Sequence, residues 1–471
     1  MHNPRLLTVE DAKNLQSQEN IRLFCDHVNP AQYRFLRLLG FHSVVIKHAE
    51  GVYYYDQNGN KILDLFGGFG ALALGHNHPR ILAVRRNFED EKRHDIALAF
   101  ISQYVSVLAK NLATLAPDDL DMVFLGTSGS DVVEAALKLA EKAQGSKRNT
   151  IVYASSSFHG KSRAALSVTD STFYRSSFEL LPNTICVPFG DPHALEQLFV
   201  TNPGIGTLIL ETVQGGAGII LAPSEYWSAV RTLCNKYNVI WIADEIQCGM
   251  GRTGHLFAFE AAGYAPDIIT LAKSLGGGKA AIGAMIARKS IYMSAYGKSS
   301  TALIHGPSTF AGMGETVCTA IETLHVLFDE NLIENSAAVG FNLIGRLKQL
   351  QLKYPQLIKE VRGMGLMIGI EFQDLSNSSG FIGKSLLKGF DEKMRGSLSA
   401  LIGNILLYNH GILVGFTEYN RNVIRIEPPL ILTEKETNYF ASALDSVLSL
   451  GVAGMIVRYV KNQGKYKSPI H

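Results

Sequence analysis

The chain has 471 residues, 46% of them hydrophobic and 18% charged, with a formal net charge of +2. That length supports more than one domain around a sizeable core, and the near-neutral balance, without a basic run, excludes electrostatic capture of nucleic acid or an anionic membrane. No apolar stretch reaches the roughly 18 residues of a membrane span. The first residues hold no apolar signal core, and the five cysteines, Cys25, Cys186, Cys234, Cys248 and Cys318, are scattered without a CxxC pair. Reduced thiols in a cytoplasmic protein are expected, and no metal centre.

In chain order, residues 1–40 read as partly amphipathic helix. Val44-Val-Ile and then Val52–Leu65 read as strands, with Asn58-Gly59 as a turn between paired strands. A Gly/aromatic loop, Phe66-Gly-Gly-Phe-Gly, leads to His76-Asn-His-Pro and a helix from about Pro79. The two histidines have no further ligands nearby and read as part of a turn and helix start.

From about 120 to 290 short apolar runs alternate with helical segments. The runs begin near Asp121, Thr150, Ile185, Thr207, Val239, Asp267 and Gly283. Continuous apolar strands separated by helices predict an α/β fold with a mostly parallel sheet covered on both faces. Helices are expected over about 315–327 and 332–352. Val361–Phe372 reads as one strand, residues 374–398 as a polar insertion or lid, and Gly411–Val414 and Val423–Glu427 as further strands. A last amphipathic helix is expected over about 434–449, and a frayed polar tail from Lys461. The expected division is an N-terminal segment (1–75) that joins a small α+β domain (331–471), and a large domain (76–330).

Three segments carry chemistry. Gly126-Thr-Ser-Gly-Ser-Asp follows a strand and opens a helix, so free backbone N–H groups meet the positive end of the helix dipole. A phosphate suits that position, and so does ordinary capping by Thr127, Ser128 or Ser130. No GK[ST] follows, so this is not a P-loop, and without GxGxxG a dinucleotide fold gains no direct support. Val239-Ile-Trp-Ile-Ala-Asp244 ends a buried strand in an acid, where α/β sheets place ligand-contacting groups or structural ion pairs. Ile268-Ile-Thr-Leu-Ala-Lys273 ends a strand in a lysine just before Gly276-Gly-Gly. An apolar flank lowers a lysine's pKa and makes it nucleophilic. A phosphate cradle, a strand-end acid for a pyridine nitrogen and a strand-end lysine for an aldehyde are together what pyridoxal phosphate requires.

The order GTSGSDVVEAALKLA, SSFHGKS, ETVQGGAG, ADEIQCGMGRTG, TLAKSLGGG, STFAGM, IRIEPPL resembles the class III aminotransferases from about residue 45 to 435. The resemblance implies fold-type I with a seven-stranded large-domain sheet, pyridoxal 5'-phosphate as cofactor, and a homodimer with sites at the subunit interface. By resemblance Lys273 is the Schiff-base lysine and Asp244 the acid on the ring nitrogen. Gln247 lies near the phenolic oxygen, and Ser128, Gly129 and Ser130 form the phosphate cup. Phe158 stacks on the ring, with His159 beside it. Glu211 and Gln214 lie beside the cofactor, and Thr309 reaches the phosphate from the partner subunit. Arg425 matches the arginine for a substrate carboxylate, with a structural salt bridge to Glu427 as the other reading.

Departures from the family pattern bear on the substrate. Gly216 stands where many ω-amino-acid members have a glutamate that holds the arginine aside, so that function is missing or supplied elsewhere. Ala311-Gly-Met replaces Gly-Gly-Asn. Phe66 and Phe69 enrich the loop that borders the substrate entrance in the family, or are core residues. The whole implies a ping-pong transaminase that acts on a terminal amine or aldehyde in secondary metabolism, resembling the ornithine and putrescine branch. A decarboxylase or aminomutase on the same scaffold is the alternative.

Overall fold

The structure is a computed structural model that describes residues 6–39, 41–96, 99–304, 306, 308–374, 398–417 and 419–465. Seven strands build the central sheet: β1 (Leu120–Gly126), β2 (Thr150–Ala154), β3 (Thr184–Val187), β4 (Ile205–Glu211), β5 (Ile240–Asp244), β6 (Ile268–Leu271) and β7 (Gly283–Arg288). They lie in the order β1-β7-β6-β5-β4-β2-β3. β7 runs antiparallel to both neighbours, and the pairs from β6 to β3 are parallel. Every residue of β4, β5 and β6 is buried. That is why these strands are continuous apolar runs rather than alternating ones. The sheet is mostly parallel, as expected, and each apolar run anticipated between 120 and 290 is one of its strands.

Helix α1 (Gly129–Gln144) crosses from β1 and buries Val132, Val133, Ala136, Leu137 and Ala140 against the sheet. The i, i+3, i+4 spacing of those residues is the core-facing stripe of an amphipathic helix. Gly314–Asp329 and Leu332–Lys353 are helices, near the expected bounds. The N-terminal strands Ile46–Glu50, Tyr53–Asp56 and Lys61–Asp64 pair antiparallel, and the distant Ile412–Leu413 joins Lys61–Asp64 in parallel as the fourth strand of their sheet.

Several local expectations change. Val361–Phe372 is not one strand but a hairpin, Ile358–Met364 with Met367–Phe372. Gly365, at φ +56, makes the reversal that a side chain would strain. Val44 and Val45 precede the first strand rather than open it. Residues 451–465 form a helix, Gly451–Lys465, so the polar stretch from Lys461 continues helical to Lys465. Met455 and Tyr459 tie that helix to the core. A helix at Leu398–His410 went unanticipated. Most of the insertion expected at 374–398 lies outside the described residues. No single helix among the described residues is long and apolar enough to cross a membrane.

Candidate active site

The parallel strands deliver acids to one edge of the sheet. Asp244 ends β5, in register with Glu211 at the end of β4 and Thr270 in β6. Asp244 is 3% exposed. Its Oδ1 accepts from Ile246 N at 3.1 Å and Thr270 Oγ1 at 3.2 Å, and its Oδ2 lies 2.6 Å from His159 Nδ1. His159 is also buried, and its Nε2 has no partner. An unpaired buried ring nitrogen is costly unless a ligand or water meets it.

Lys273 lies one residue beyond the strand β6 and its successor Ala272. It opens a short 3-10 turn, Lys273–Gly276, with φ +43. A lysine in the left-handed region is strained, and such strain concentrates at functional sites. Desolvation lowers its pKa, against the pull of Glu427 and Asp244, which favour the charged form. Among the described residues no acceptor hydrogen-bonds its Nζ. Gly277 and Gly278 follow at φ +58 and +72.

The first turn of α1 backs onto these strand ends. A Cβ at Gly129 would stand 3.1 Å from Ile246 Cδ1 and 3.6 Å from Ala272 Cβ, the neighbours of Asp244 and Lys273. Ser128 is the N-cap, and its hydroxyl accepts from Asp131 N at 3.3 Å. Asp131 Oδ2 in turn accepts from Thr127 N at 2.8 Å. The capping reading holds at Ser128, and the amides of Gly129 and Ser130 have no acceptor among the described residues, which leaves them open to a ligand. Gly160 closes the other side, since a Cβ there would overlap Ser130 Oγ. Those free N–H groups, the orphaned His159 nitrogen, the buried strand-end acid and the half-buried lysine fit a phosphorylated, cationic-ring aldehyde such as pyridoxal phosphate.

Glu211 Oε1 accepts from Phe158 N at 2.9 Å, and Oε2 from Gly215 N at 3.3 Å. Gln214 Nε2 donates to Ser155 O at 2.8 Å. Gln247 Nε2 donates to Glu427 Oε1 at 2.7 Å and to Phe69 O at 3.2 Å. Arg425 is 4% exposed and donates to backbone oxygens: Nε and Nη2 to Phe416 O, and Nη1 to Gly215 O at 3.2 Å. Glu427 lies 3.6 Å from it, so the salt bridge considered as the other reading is present.

Phe66 and Phe69 meet edge to face at 4.5 Å, and the Phe69 ring lies 5.0 Å from the Arg425 guanidinium. Thr309 is exposed and makes no hydrogen bond to the other site residues among the described ones. Two residues that sequence reasoning passed over also belong here. Tyr419 donates its hydroxyl to Ser157 O at 2.7 Å, and its ring stands beside Gly216. Arg252, fully buried, ties Gly70 O, Leu366 O and Pro428 O together. The aromatic in the run Phe416–Asn420 between two strands was the available signal for Tyr419, and the arginine of GMGRTG the signal for Arg252.

The model of the family Aminotransferase class-III matches residues 39–448, most of the chain. The chain belongs to that family. Its members use pyridoxal phosphate, and this chain is an aminotransferase of the class. Solved structures agree in fold. Ornithine δ-aminotransferase of Plasmodium falciparum is 27% identical, over 93% of this chain and 99% of that one, with a TM-score of 0.73. Acetylornithine aminotransferase of Elizabethkingia anophelis is 26% identical, over 92% and 99%, with a TM-score of 0.72. Ornithine aminotransferase of Toxoplasma gondii, described with partial occupancy of PLP at its active site, is 24% identical over 98% and 100%, with a TM-score of 0.79.

Proposed function

We propose that this aminotransferase works by a ping-pong exchange between a terminal amine or aldehyde and an α-amino acid or 2-oxo acid. The carrying observation is the meeting of Lys273, the Asp244–His159 pair and the free amides of Gly129 and Ser130 at one edge of the sheet. The bound cofactor supplies an aldehyde carbon and an electron-withdrawing ring. Lys273 would hold that aldehyde, and its Nζ is the base that would take the proton from the substrate carbon. Asp244 would keep the ring nitrogen protonated, with His159 fixing the rotamer of Asp244. Gly129 and Ser130 would hold the phosphate, and Phe158 would lie beside the ring.

Phe66 and the half-exposed Phe69 favour an amine with an apolar chain, which supports the terminal-amine reading. Arg425 serves the carboxylate of the other partner, for which glutamate and 2-oxoglutarate are the proposed pair. The same proposal includes a homodimer in which Thr309 serves the partner's site, a cytoplasmic setting and a place in secondary metabolism. It also groups residues 1–75 with 331–471, supported by the pairing of Lys61–Asp64 with Ile412–Leu413.

Lys273→Ala should still bind the cofactor, lose its borohydride-fixed attachment at peptide 273, and drop turnover by at least about 100-fold. Retained multiple turnover would sink the assignment. An amine-donor screen on the wild type that yields carbon dioxide without a carbonyl acceptor would favour a decarboxylase instead.

A further inference from the structure

Glu427 is fully buried, yet only part of its carboxylate is used. Oε1 accepts from Gln247 Nε2 at 2.7 Å. Oε2 has no hydrogen-bond donor and lies 3.6 Å from Arg425 Nη1. The two residues are two apart at the end of the strand Val423–Ile426, a spacing that puts side chains on one face. The other groups in contact with Arg425 bring no formal charge, being the carbonyls of Phe416 and Gly215 and the face of Phe69, while Lys273 feels both Arg425 and Glu427 electrostatically. Among the described residues Glu427 is the acid that ion-pairs with this guanidinium. No acid stands at 216, and none fits readily. A Cβ there would already meet Phe158 Cβ at 3.2 Å and Tyr419 Cε2 at 3.4 Å.

We propose that Glu427 determines substrate class by setting the charge of the Arg425 anchor. The inference rests on the reading of Arg425 given above. An uncompensated guanidinium buried this deeply would repel an incoming ammonium and be costly to bury against an apolar chain. Glu427, which also faces Lys273 and Arg252, offsets that charge, so an amine without a carboxylate is accepted. At 3.6 Å the pair lacks a short hydrogen bond. A substrate carboxylate that offers a bidentate fork can therefore take Arg425 over, while Gln247 keeps hold of Glu427. One arginine then serves both halves of the exchange, with Glu427 deciding its default state.

Glu427→Gln keeps the size and removes the charge. Two quantities are measured on the holoenzyme: kcat/KM for n-pentylamine, and the dissociation constant of maleate, a non-reacting dicarboxylate, from visible absorption. The expected result is a fall in kcat/KM and a tightening of maleate, each by about tenfold or more. A merely loosened site would weaken both. Glu427→Asp, which withdraws the charge from Arg425, should move both quantities the same way by a smaller factor, and it carries the test alone if the glutamine variant does not fold. Parallel weakening, no change in either, or a wild type that ignores pentylamine overturns the proposal. Borohydride fixation of cofactor to Lys273 separates the two levels. If the wild type lacks it, the functional reading falls and takes this inference with it. If wild type and variants carry it and the two quantities do not diverge, the inference alone falls.

Discussion

Glu211 illustrates how burial outweighs hydrogen bonding at a single residue. Two backbone amides donate to its carboxylate, yet desolvation pushes its pKa up to about 7, with His159 acting downward and Asp244 upward. A carboxyl whose folded pKa lies above the unfolded value near 4.5 contributes stability that is complete below pH 4.5. That contribution is lost as pH rises through about 7. The shift corresponds to a contribution on the order of 3 kcal/mol. Urea unfolding of the wild type should therefore weaken between pH 5 and 8, and Glu211→Gln should flatten that decline. An unchanged slope would contradict a protonated Glu211 at low pH. The residue types of this site were legible because each stands in a short local frame: a lysine or acid that ends an apolar run, a hydroxyl that opens a helix. The bond from Gln247 to Glu427, 180 residues away, was not legible, because no local pattern encodes which distant side chain arrives. Pairing of Arg425 with Glu427 was foreseen as one of two readings, since residues two apart on a strand share a face.

The turn at Gly67–Gly70 is the element that shapes the substrate side. Four successive residues lie in the left-handed region, at φ +55, +59, +61 and +76, and Phe69 is the one with a side chain. Asp64 starts the turn by accepting from the amides of Phe66 and Gly67 at 3.0 and 2.8 Å, and it also binds His76 Nε2 at 2.9 Å. Arg252 and Ser274 close the turn by donating to Gly70 O. Phe69 in this conformation costs on the order of 1 kcal/mol, and its ring is held over Arg425 in return. The glycines announced a loop in the sequence, but not a tight left-handed turn, which depends on these clasps from residues 64, 252 and 274. Gly67→Ala should cost more than about 2 kcal/mol, because the new Cβ would meet both the disfavoured φ and the Glu427 carbonyl. Thermal unfolding reads that loss. A variant as stable as the wild type would mean that the turn relaxes freely, and Arg425 would then be expected to lose its aromatic cover.

At the scale of the whole molecule, the α/β layering was readable because strands buried on both faces must be apolar throughout. Strand order and the reversed direction of β7 were not, since pairing partners are chosen by the assembled sheet. The largest exposed apolar side chains include Phe100, Ile101 and Leu303, at 81%, 92% and 84% exposure. Gly314 N donates to Asp95 O, and Glu315 N to Asp95 Oδ1, so the stretch before Phe100 meets the start of the helix Gly314–Asp329. Exposed apolar groups of this size are what a second copy would cover. If Thr309 serves the partner's phosphate site, defects at Lys273 and Thr309 should complement between subunits. Lys273→Ala has no reacting amine in its own site, and Thr309→Asp would repel the phosphate in its partner's. In a mixed dimer one site carries both defects and the other carries neither. Refolding or co-expressing the two inactive variants in equal amounts makes half the dimers mixed, each with one intact site, so about a quarter of wild-type activity should return. Activity no greater than the sum of the two variants alone would place Thr309 outside the partner's site. Ile101→Asp, which charges the exposed patch, should abolish the recovery and shift the sedimenting species from dimer to monomer.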